Sequence, residues 1–382
     1  FAGRGFTMFL GLDADADELG IENHNYFLYD TMDTAAQYGK MRTIRENDVQ
    51  ATVCLNRAYP ECSPKGTCMM YFTTLYMSDD WGNVKAEDYY KTKDYGANKM
   101  IDRFEQDTGA KLRGHIEEIS VAAPMTYARY CGHPEGVIYG YESQYWDGLM
   151  PRLQMMAEDH KVRGLRFACG YALRLSGYSS AYFSGEISGR QTVGDIKREG
   201  CAMPFTFKKQ IFGFMDLMRF KKLVPNRRRK LAEGSPEPLP KTYRVNETAK
   251  ILHPGYQGAK LVGIEQNTAD TKTYTFETDR PFYFRAGQYV TLGCKVGESE
   301  VSRPYAISSA PKAALAGRVS LTVKKCGFFS GYLFDEAKAG DLFTLGDPSG
   351  DFCYEPVKDA PRVVAIAGGS GITPFYSMAQ AI

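Results

Sequence analysis

The sequence predicts a multidomain protein: an α+β region first, then an antiparallel β-barrel, then the start of an α/β domain. Three observations lead to this prediction. With 382 residues the chain is long enough for two or three domains. A proline-rich stretch at 234–240 separates a mixed region from one with short strands and turns at barrel-like spacing. Near the end, an apolar segment runs through a glycine turn into a helix start.

Composition and charge exclude several classes of protein. Hydrophobic residues make up 43% and charged residues 24%, a globular balance that excludes general disorder. The 47 basic and 45 acidic residues leave a net charge of +2, which argues against general nucleic-acid binding. No apolar run reaches the roughly 18 residues of a transmembrane helix. Nine dispersed cysteines favour a reducing compartment, so a cytoplasmic location is expected.

The two ends of the chain indicate an internal piece of a longer polypeptide. The sequence begins with Phe1 rather than Met and shows no signal-peptide pattern. It stops at Ile382, inside a predicted helix of a further domain.

Region 1–200 mixes strand-like and helix-like segments. The run Ile116–Val121 predicts a strand, the polar segment Glu87–Thr108 predicts a helix, and Gly164–Cys169 predicts a short buried strand. Small residues then recur at every fourth position and would line one face of a helix: Gly177, Ala181, Gly185 and Gly189. Such a face suits either close helix–strand packing or the approach of a dinucleotide.

Residues 201–241 are predicted to form a basic helical linker. From 208 to 230 there are nine Lys or Arg and one acid, Asp216, with apolar residues between them. Three interpretations are open: a connecting helix with a solvated basic face, peripheral contact with an anionic membrane, or docking of an acidic protein.

Region 242–357 has the pattern of a β-barrel. Thr271–Thr278 alternates between residues that suit the two faces of a sheet. Further short runs are separated by Gly, Pro and Asp: Gln288–Leu292, Tyr305–Ser308, Val319–Val323 and Leu342–Leu345.

The final motif predicts a βα unit. An apolar strand, Val363–Ala367, leads into Gly368-Gly-Ser-Gly371, with Thr373 as helix N-cap and Pro374 at the first helical position. Glycines before a helix N-terminus let the backbone approach a phosphate, whose charge the free N–H groups favour. The alternative is a glycine turn that only closes the unit.

Three upstream motifs favour the phosphate interpretation. They are Arg303-Pro-Tyr-Ala-Ile-Ser-Ser309, Gly327-Phe-Phe-Ser330 and Gly346-Asp-Pro-Ser-Gly350. Arg binds phosphate bidentately, a Tyr face stacks on a flavin ring, and a Ser hydroxyl donates to phosphate. In order and spacing, the set resembles the ferredoxin–NADP reductase family of flavin oxidoreductases over 242–382. An SH3-like or OB barrel with fortuitous motifs is the alternative.

This resemblance implies a six-stranded flavin-binding barrel that uses FAD or FMN and takes NAD(P)H. Arg303 would contact the flavin phosphate, Tyr305 would stack on the ring, and Ser330 with the Gly327 turn would hold the pyrophosphate. Ala306 stands where the family usually has Ser. The implied cofactor-binding residues are Arg303, Pro304, Tyr305, Ala306, Ser308, Gly327, Ser330, Gly368, Gly369, Gly371 and Thr373.

A second resemblance covers residues 1–197. The segments Ala123–Gly140, with its Gly132-His-Pro134-Glu-Gly136 turn, and Gly164–Gly170 resemble the C-terminal half of phytoene desaturase or retinol saturase-type FAD oxidoreductases. This implies part of a glutathione-reductase-type FAD domain. Gly170 would lie against the FAD phosphate and ribityl region, and the Gly177–Ser180 turn would approach the flavin. Near the substrate cavity would lie Pro134, Gly136, Tyr139 and Gly140.

Other residue patterns carry no prediction of a site. Cys54, Cys62 and Cys68 lack the two-residue gaps typical of zinc and iron–sulfur sites and are interpreted as ordinary thiols. The five histidines form no pair at ligand spacing, so no metal is expected, and no catalytic residue is predicted.

Together these observations predict a fused flavin-dependent oxidoreductase. NAD(P)H would reduce the barrel flavin, and electrons would pass to the N-terminal FAD module, which acts on an apolar substrate. Alternatively, the N-terminal half is a non-catalytic docking module and the reductase serves a redox carrier such as ferredoxin. The predicted domains are 1–200, the linker 201–241, the barrel 242–357 and the start of an NAD(P)-binding domain, 358–382.

Overall fold

A computed structural model describes residues 3–139, 165, 166, 168, 178–199, 233 and 240–381. The chain divides into two compact units. One comprises Phe1–Gly3 and Val137–Lys241; the other comprises Arg4–Gly136 and Thr242–Ile382 and contains two antiparallel β-sheets. The mixed α/β, multidomain organisation expected from the sequence is confirmed. Among the described residues, no helix is long and apolar enough to cross a membrane.

Nine helices lie within the described ranges. They are α1 (Thr34–Lys40), α2 (Leu55–Ala58), α3 (Tyr89–Thr108), α4 (Pro124–Cys131), α5 (Tyr178–Glu199), α6 (Arg244–Leu252), α7 (Pro311–Leu315), α8 (Phe328–Asp335) and α9 (Thr373–Ala381). Helix α5 belongs to the smaller unit and the other eight to the larger. Helix α3 confirms the helix predicted at Glu87–Thr108.

The first sheet of the larger unit has five strands. They are β1 (Arg4–Leu12), β2 (Asn25–Leu28), β3 (Gln50–Cys54), β4 (Cys68–Tyr76) and β5 (Ile116–Ala122), in the order β2-β3-β4-β1-β5. Strand β5 confirms the strand predicted at Ile116–Val121. Because side chains alternate along a strand, Met8 and Leu10 of β1 are buried while Phe9 between them is half exposed.

Helix α3 covers the buried face of this sheet. The Phe104 ring meets Phe72 of β4 edge-on at a centroid distance of 5.5 Å. Gly96 lets the helix approach β1, because a Cβ there would lie 2.9 Å from the Phe6 ring. The helix ends at Gly109, whose φ of +76° is the left-handed conformation that commonly terminates helices.

The second sheet has six strands and forms the barrel. They are β6 (Gln257–Thr268), β7 (Thr271–Thr278), β8 (Tyr289–Val296), β9 (Ser299–Ala306), β10 (Arg318–Lys324) and β11 (Leu342–Leu345), in the order β10-β7-β6-β11-β8-β9. The predicted six-stranded antiparallel barrel is confirmed. In β7, Tyr274 and Phe276 point into the core, while Thr273 and Thr275 bond across to hydroxyls of β10.

Strands β9 and β10 close the barrel. Ile307 and Leu321 form an isolated antiparallel bridge, and the N–H of Ser308 donates to the carbonyl of Ser320 at 2.9 Å. We call this line of contact the closure seam.

The predicted strand at Val363–Ala367 is wrong. These residues form no strand, and Val364 and Ile366 are 85% and 87% exposed. A parallel strand of an α/β domain gains stability from paired neighbours and from helices over both faces. Within the described residues this segment has neither. The helix after the glycine turn is present as α9, but it begins at Thr373, so Thr373 is its first residue rather than its N-cap.

A buried ion cluster joins α3 to the barrel within the larger unit. The Arg285 guanidinium donates to Glu355 Oε2 at 2.7 Å and to Asp94 Oδ2 of α3 at 3.3 Å. All three side chains are at most 20% exposed. Burial raises the pKa of Asp94 to about 6, and Arg285 opposes this shift.

In the smaller unit, helix α5 buries a polar face. Ser184, Ser188 and Asp195 are buried, and Asp195 pairs with Arg166. The small-residue face lies elsewhere on the helix: Cβ atoms built at Gly185 and Gly189 meet no atom within 4 Å. Most of the strand predicted at Gly164–Cys169 lies outside the described residues, and its described members have no regular secondary structure.

Candidate flavin and nucleotide site

The first predicted site motif lies on β9. Pairing with β8 places Arg303 opposite Leu292 and Tyr305 opposite Val290. Arg303 is exposed, donates from Nη1 to the Ser302 carbonyl at 2.7 Å and forms no ion pair with a described residue. An exposed, unpaired guanidinium is a ready partner for a phosphate.

Tyr305 is half-buried and held by an aromatic contact. Its ring stacks on Phe329 at a centroid distance of 6.3 Å and an angle of 25°. Burial raises the pKa of its hydroxyl above the usual range, and nearby Arg303 opposes this shift. On either side of Tyr305, Pro304 is exposed and Ala306, paired with Tyr289, is half-buried.

The second motif forms the N-terminus of α8. Ser330 Oγ accepts hydrogen bonds from the N–H groups of Gly327 at 2.9 Å and Cys326 at 3.0 Å. These bonds fix the turn that precedes the helix, where unpaired N–H groups and the helix dipole favour an anion. A Cβ built at Gly327 meets no atom within 4 Å, so the approach to this backbone is open.

The glycine motif contacts the barrel at β10. Gly368, Gly369 and Gly371 are exposed, and the 3-10 turn Gly369–Ile372 contacts β10. Thr373 is buried, and its hydroxyl donates to the Ser370 carbonyl at 3.1 Å.

Helix α9 is fastened to the closure seam. Ser377 Oγ donates to the Ser309 carbonyl at 2.8 Å, and Gln380 Nε2 donates to the Ser308 carbonyl at 3.0 Å. The Ser308 hydroxyl donates to the Ser320 carbonyl and accepts from Thr322, both at 3.0 Å. Buried Ser308 is therefore committed to protein contacts at the seam.

The structure thus links three of the four C-terminal motifs. Tyr305 and Phe329 join β9 to the α8 turn, β9 meets β10 at the closure seam, and the glycine turn contacts β10. The structure does not place the predicted N-terminal site residues beside these motifs. Gly170 and Gly177 lie outside the described residues, and Ser180 is described only as part of α5.

Two features of the site were missed by the sequence prediction. One is Phe329, whose ring stacks on Tyr305. It lies inside the Gly327–Ser330 motif, and its aromatic side chain was the sequence signal that could have indicated this contact. Asp347 of the third motif binds protein: it accepts from Arg129 at 3.0 Å and from the Gly255 N–H at 2.6 Å. No short-range pattern indicates those partners, which are distant in sequence.

Ser330→Ala tests the turn before α8. The substitution removes the acceptor for two backbone N–H groups, so we expect the free energy of unfolding to fall by about 1 kcal/mol. Urea denaturation measures the loss. Ser302→Ala is the control, because Ser302 is exposed and forms no side-chain hydrogen bond with a described residue, so the change should stay within about 0.5 kcal/mol. Equal losses would assign Ser330 no special part in the turn.

Comparison with known proteins gives the class of the barrel. Residues 258–354 match the family described as "Oxidoreductase FAD-binding domain". The C-terminal half of the chain thus contains an FAD-binding oxidoreductase domain.

Curated relatives match over this same part of the chain. The glycine betaine monooxygenase reductase subunit of Chromohalobacter salexigens is 35% identical over 132 residues, 33% of this chain and 34% of that protein. The toluate 1,2-dioxygenase electron transfer component of Pseudomonas putida is 31% identical over 142 residues, 36% of this chain and 40% of that protein. The chain spans about a third of the length of the curated relatives that it matches.

A solved ferredoxin NADP⁺ reductase from Neisseria gonorrhoeae, with bound FAD and NADP, is 26% identical and has a TM-score of 0.30. That comparison covers 33% of this chain and 51% of the other.

Proposed function

We propose that the barrel is the flavin module of an NAD(P)H-dependent electron-transfer reductase. The observation that carries the proposal is the convergence of Arg303, Tyr305, the Gly327 turn and the glycine turn around one seam, within or beside the segment that matches the FAD-binding family. Support also comes from the names of the relatives, which include reductase subunits and an electron transfer component.

The residues present fit a flavin nucleotide. Arg303 offers an unpaired cation to a phosphate, and the first turn of α8 offers backbone N–H groups. Tyr305 is held by Phe329, so it presents a rigid aromatic side chain to a flavin ring. When bound, the flavin supplies the chemistry of hydride acceptance from reduced nicotinamide and of onward electron transfer.

The chain's own residues then have distinct roles. Arg303 neutralises phosphate charge. Ser330 accepts from the Cys326 and Gly327 N–H groups and so orders the turn before α8, whose first helical N–H groups would meet the phosphate. Ala306 has no hydroxyl, so hydrogen bonding toward the flavin falls to backbone N–H groups along β9. The exposed turn at Gly368, Gly369 and Gly371 would receive the phosphates of NAD(P)H, with Thr373 bracing it.

For the destination of the electrons, we propose a second FAD module in residues 1–197 that acts on an apolar substrate. Gly170, Gly177 and Ser180 would approach its flavin, by resemblance. Support comes from the first sheet, one face of which exposes Phe9 and Met69 beside a groove of about 490 Å³. Apolar grooves of this size are typical of small-molecule sites.

A second candidate leaves the N-terminal half without a flavin. In that case it docks a redox carrier such as ferredoxin, and the relatives named as parts of oxygenase systems favour this arrangement. The quantity that separates the two candidates is released flavin per polypeptide after reconstitution with FAD and FMN. A ratio of two supports the second FAD module, and a ratio of one supports the docking module.

Arg303→Ala tests the barrel site itself. Loss of the phosphate partner should lower the retained flavin by about tenfold or more, because a charge-assisted bond to phosphate contributes about 1.5–3 kcal/mol. The measurement is the flavin absorbance per chain after gel filtration. Arg318→Ala is the matched control, since Arg318 is also an exposed arginine on a barrel strand. Equal flavin content in both variants would remove Arg303 from the site.

A further inference from the structure

Two cysteine sulfurs lie in contact inside the first sheet. Cys54 is the last residue of β3 and Cys68 is the first residue of β4. In the antiparallel register Cys54 faces Met70, so Cys68 is its diagonal neighbour on the same face of the sheet. Both side chains are fully buried, and their Sγ atoms are 3.5 Å apart.

The surroundings make the two thiols chemically unequal. A hydrogen bond from the Cys68 thiol lowers the pKa of Cys54 to about 6, with support from the N–H groups of Arg57 and Asn56. The same bond and burial raise the pKa of Cys68. The two thiols therefore differ in acidity, with Cys54 the more acidic and Cys68 the less acidic, as one attacking and one resolving sulfur require.

A groove at the surface of the first sheet is lined by Cys68 but not by Cys54. Its volume is about 490 Å³, and Cys62, Ser63, Thr67 and Cys68 line one side of it. Residues 55–67, which include α2, connect the two cysteines and supply part of this wall. Both sulfurs lie in the core, so an oxidant in the groove would reach them through local opening of this connecting segment.

We propose that Cys54 and Cys68 form a redox pair that a hydroperoxide converts reversibly into a disulfide. The Cys54 thiolate attacks the peroxide, the O–O bond breaks, hydroxide leaves, and a sulfenic acid forms at Cys54. The Cys68 sulfur then attacks Cys54 Sγ, the S–O bond breaks, and the S–S bond forms. With hydrogen peroxide, two thiols lose two electrons and two protons, and the peroxide is reduced to two waters.

Oxidation would act on the groove. The new bond would tie both ends of the 55–67 segment together and fix one wall of the groove. Oxidation of the pair would thus restrain the segment beside the exposed Phe9 and Met69 side chains. This inference does not depend on the flavin proposal, because it uses only residues of the first sheet and an added peroxide.

The wild-type chain carries the first test. The folded protein is exposed to increasing hydrogen peroxide, denatured, alkylated and mapped by mass spectrometry. We expect a Cys54–Cys68 cross-linked peptide that dithiothreitol abolishes, at peroxide levels that leave most of Cys131 and Cys326 alkylated. These exposed cysteines are the internal control. If Cys131 and Cys326 are oxidised while Cys54 and Cys68 remain fully alkylated, the proposal is overturned.

A variant tests the assignment of the attacking sulfur. In Cys68→Ala, Cys54 loses its hydrogen-bond donor, and its reaction with peroxide at pH 7 should slow by about tenfold as the thiolate fraction falls. Its sulfenic acid, no longer resolved, should be trapped by dimedone. Near-ultraviolet circular dichroism checks that the variant is folded. Unchanged reactivity of Cys54 in a folded variant would contradict the assignment.

Discussion

Gly287→Ala is expected to lower the free energy of unfolding of the larger unit by at least about 3 kcal/mol. Gly287 lies just before β8 with φ at +105°, a conformation that an L-residue rarely adopts. A Cβ there would lie 1.9 Å from the carbonyl oxygen of Phe352 and 2.6 Å from the Met378 side chain. Because the first contact is backbone, the chain from Phe352 would have to move.

Gly340→Ala is the control that separates the steric overlap at Gly287 from the backbone strain of a positive φ. Gly340 has φ at +102°, but a Cβ there meets no atom within 4 Å. Its substitution should therefore show the backbone strain alone, about 1–2 kcal/mol. Urea denaturation of both variants gives the two losses, and their difference measures the overlap at Gly287. A difference below about 1 kcal/mol would mean that the loop at Phe352 relaxes freely.

Arg285→Leu is expected to lower the free energy of unfolding by about 3–5 kcal/mol at pH 7. The substitution keeps the aliphatic volume but leaves the Asp94 and Glu355 carboxylates buried without their cation. Arg113→Leu is the control, because the Arg113–Asp102 pair has side chains 37% and 65% exposed. Exposed pairs of this kind contribute less than about 1 kcal/mol.

The cost of Arg285→Leu should depend on pH in a defined direction. The folded-state pKa of Asp94 is already about 6, above the usual carboxyl value, and loss of Arg285 raises it further. A raised carboxyl pKa stabilises the fold at low pH, and this stability is lost as pH rises through the folded value. The penalty relative to wild type should thus be largest at pH 7 and shrink toward pH 4. A penalty that is constant with pH would assign the loss to packing.

The barrel strands could be predicted because their determinants are local. Alternation in Thr271–Thr278 reflects one face in the core and one outside, and the structure gives a strand with the same bounds. Helix α3 was predictable for the same reason. The segment Val363–Ala367 was not, because an apolar run becomes a strand only when neighbours pair with it.

Most of the contacts that could not be predicted from the sequence join residues that are far apart along the chain. Nothing near Arg285 indicates that Asp94, almost two hundred residues earlier, will share its charge. Likewise, the spacing of Cys54 and Cys68 suggested ordinary thiols, and only the β3–β4 register brings their sulfurs together. The roles of Arg303, Tyr305 and Ser330 were inferred from motif order, and the structure adds the contact of Tyr305 with Phe329.

Helix α6 imposes an order of events on biosynthesis. Its buried residues Val245, Ala249 and Leu252 pack in the hydrophobic core of the first sheet. The chain nevertheless leaves the larger unit after Gly136 and returns to it only at Thr242. A ribosome adds roughly 5–20 residues per second, so a nascent first sheet waits several seconds for its last core element. During that interval its apolar groove for α6 is uncovered, which makes this stretch of translation a point at which chaperones would be expected to bind.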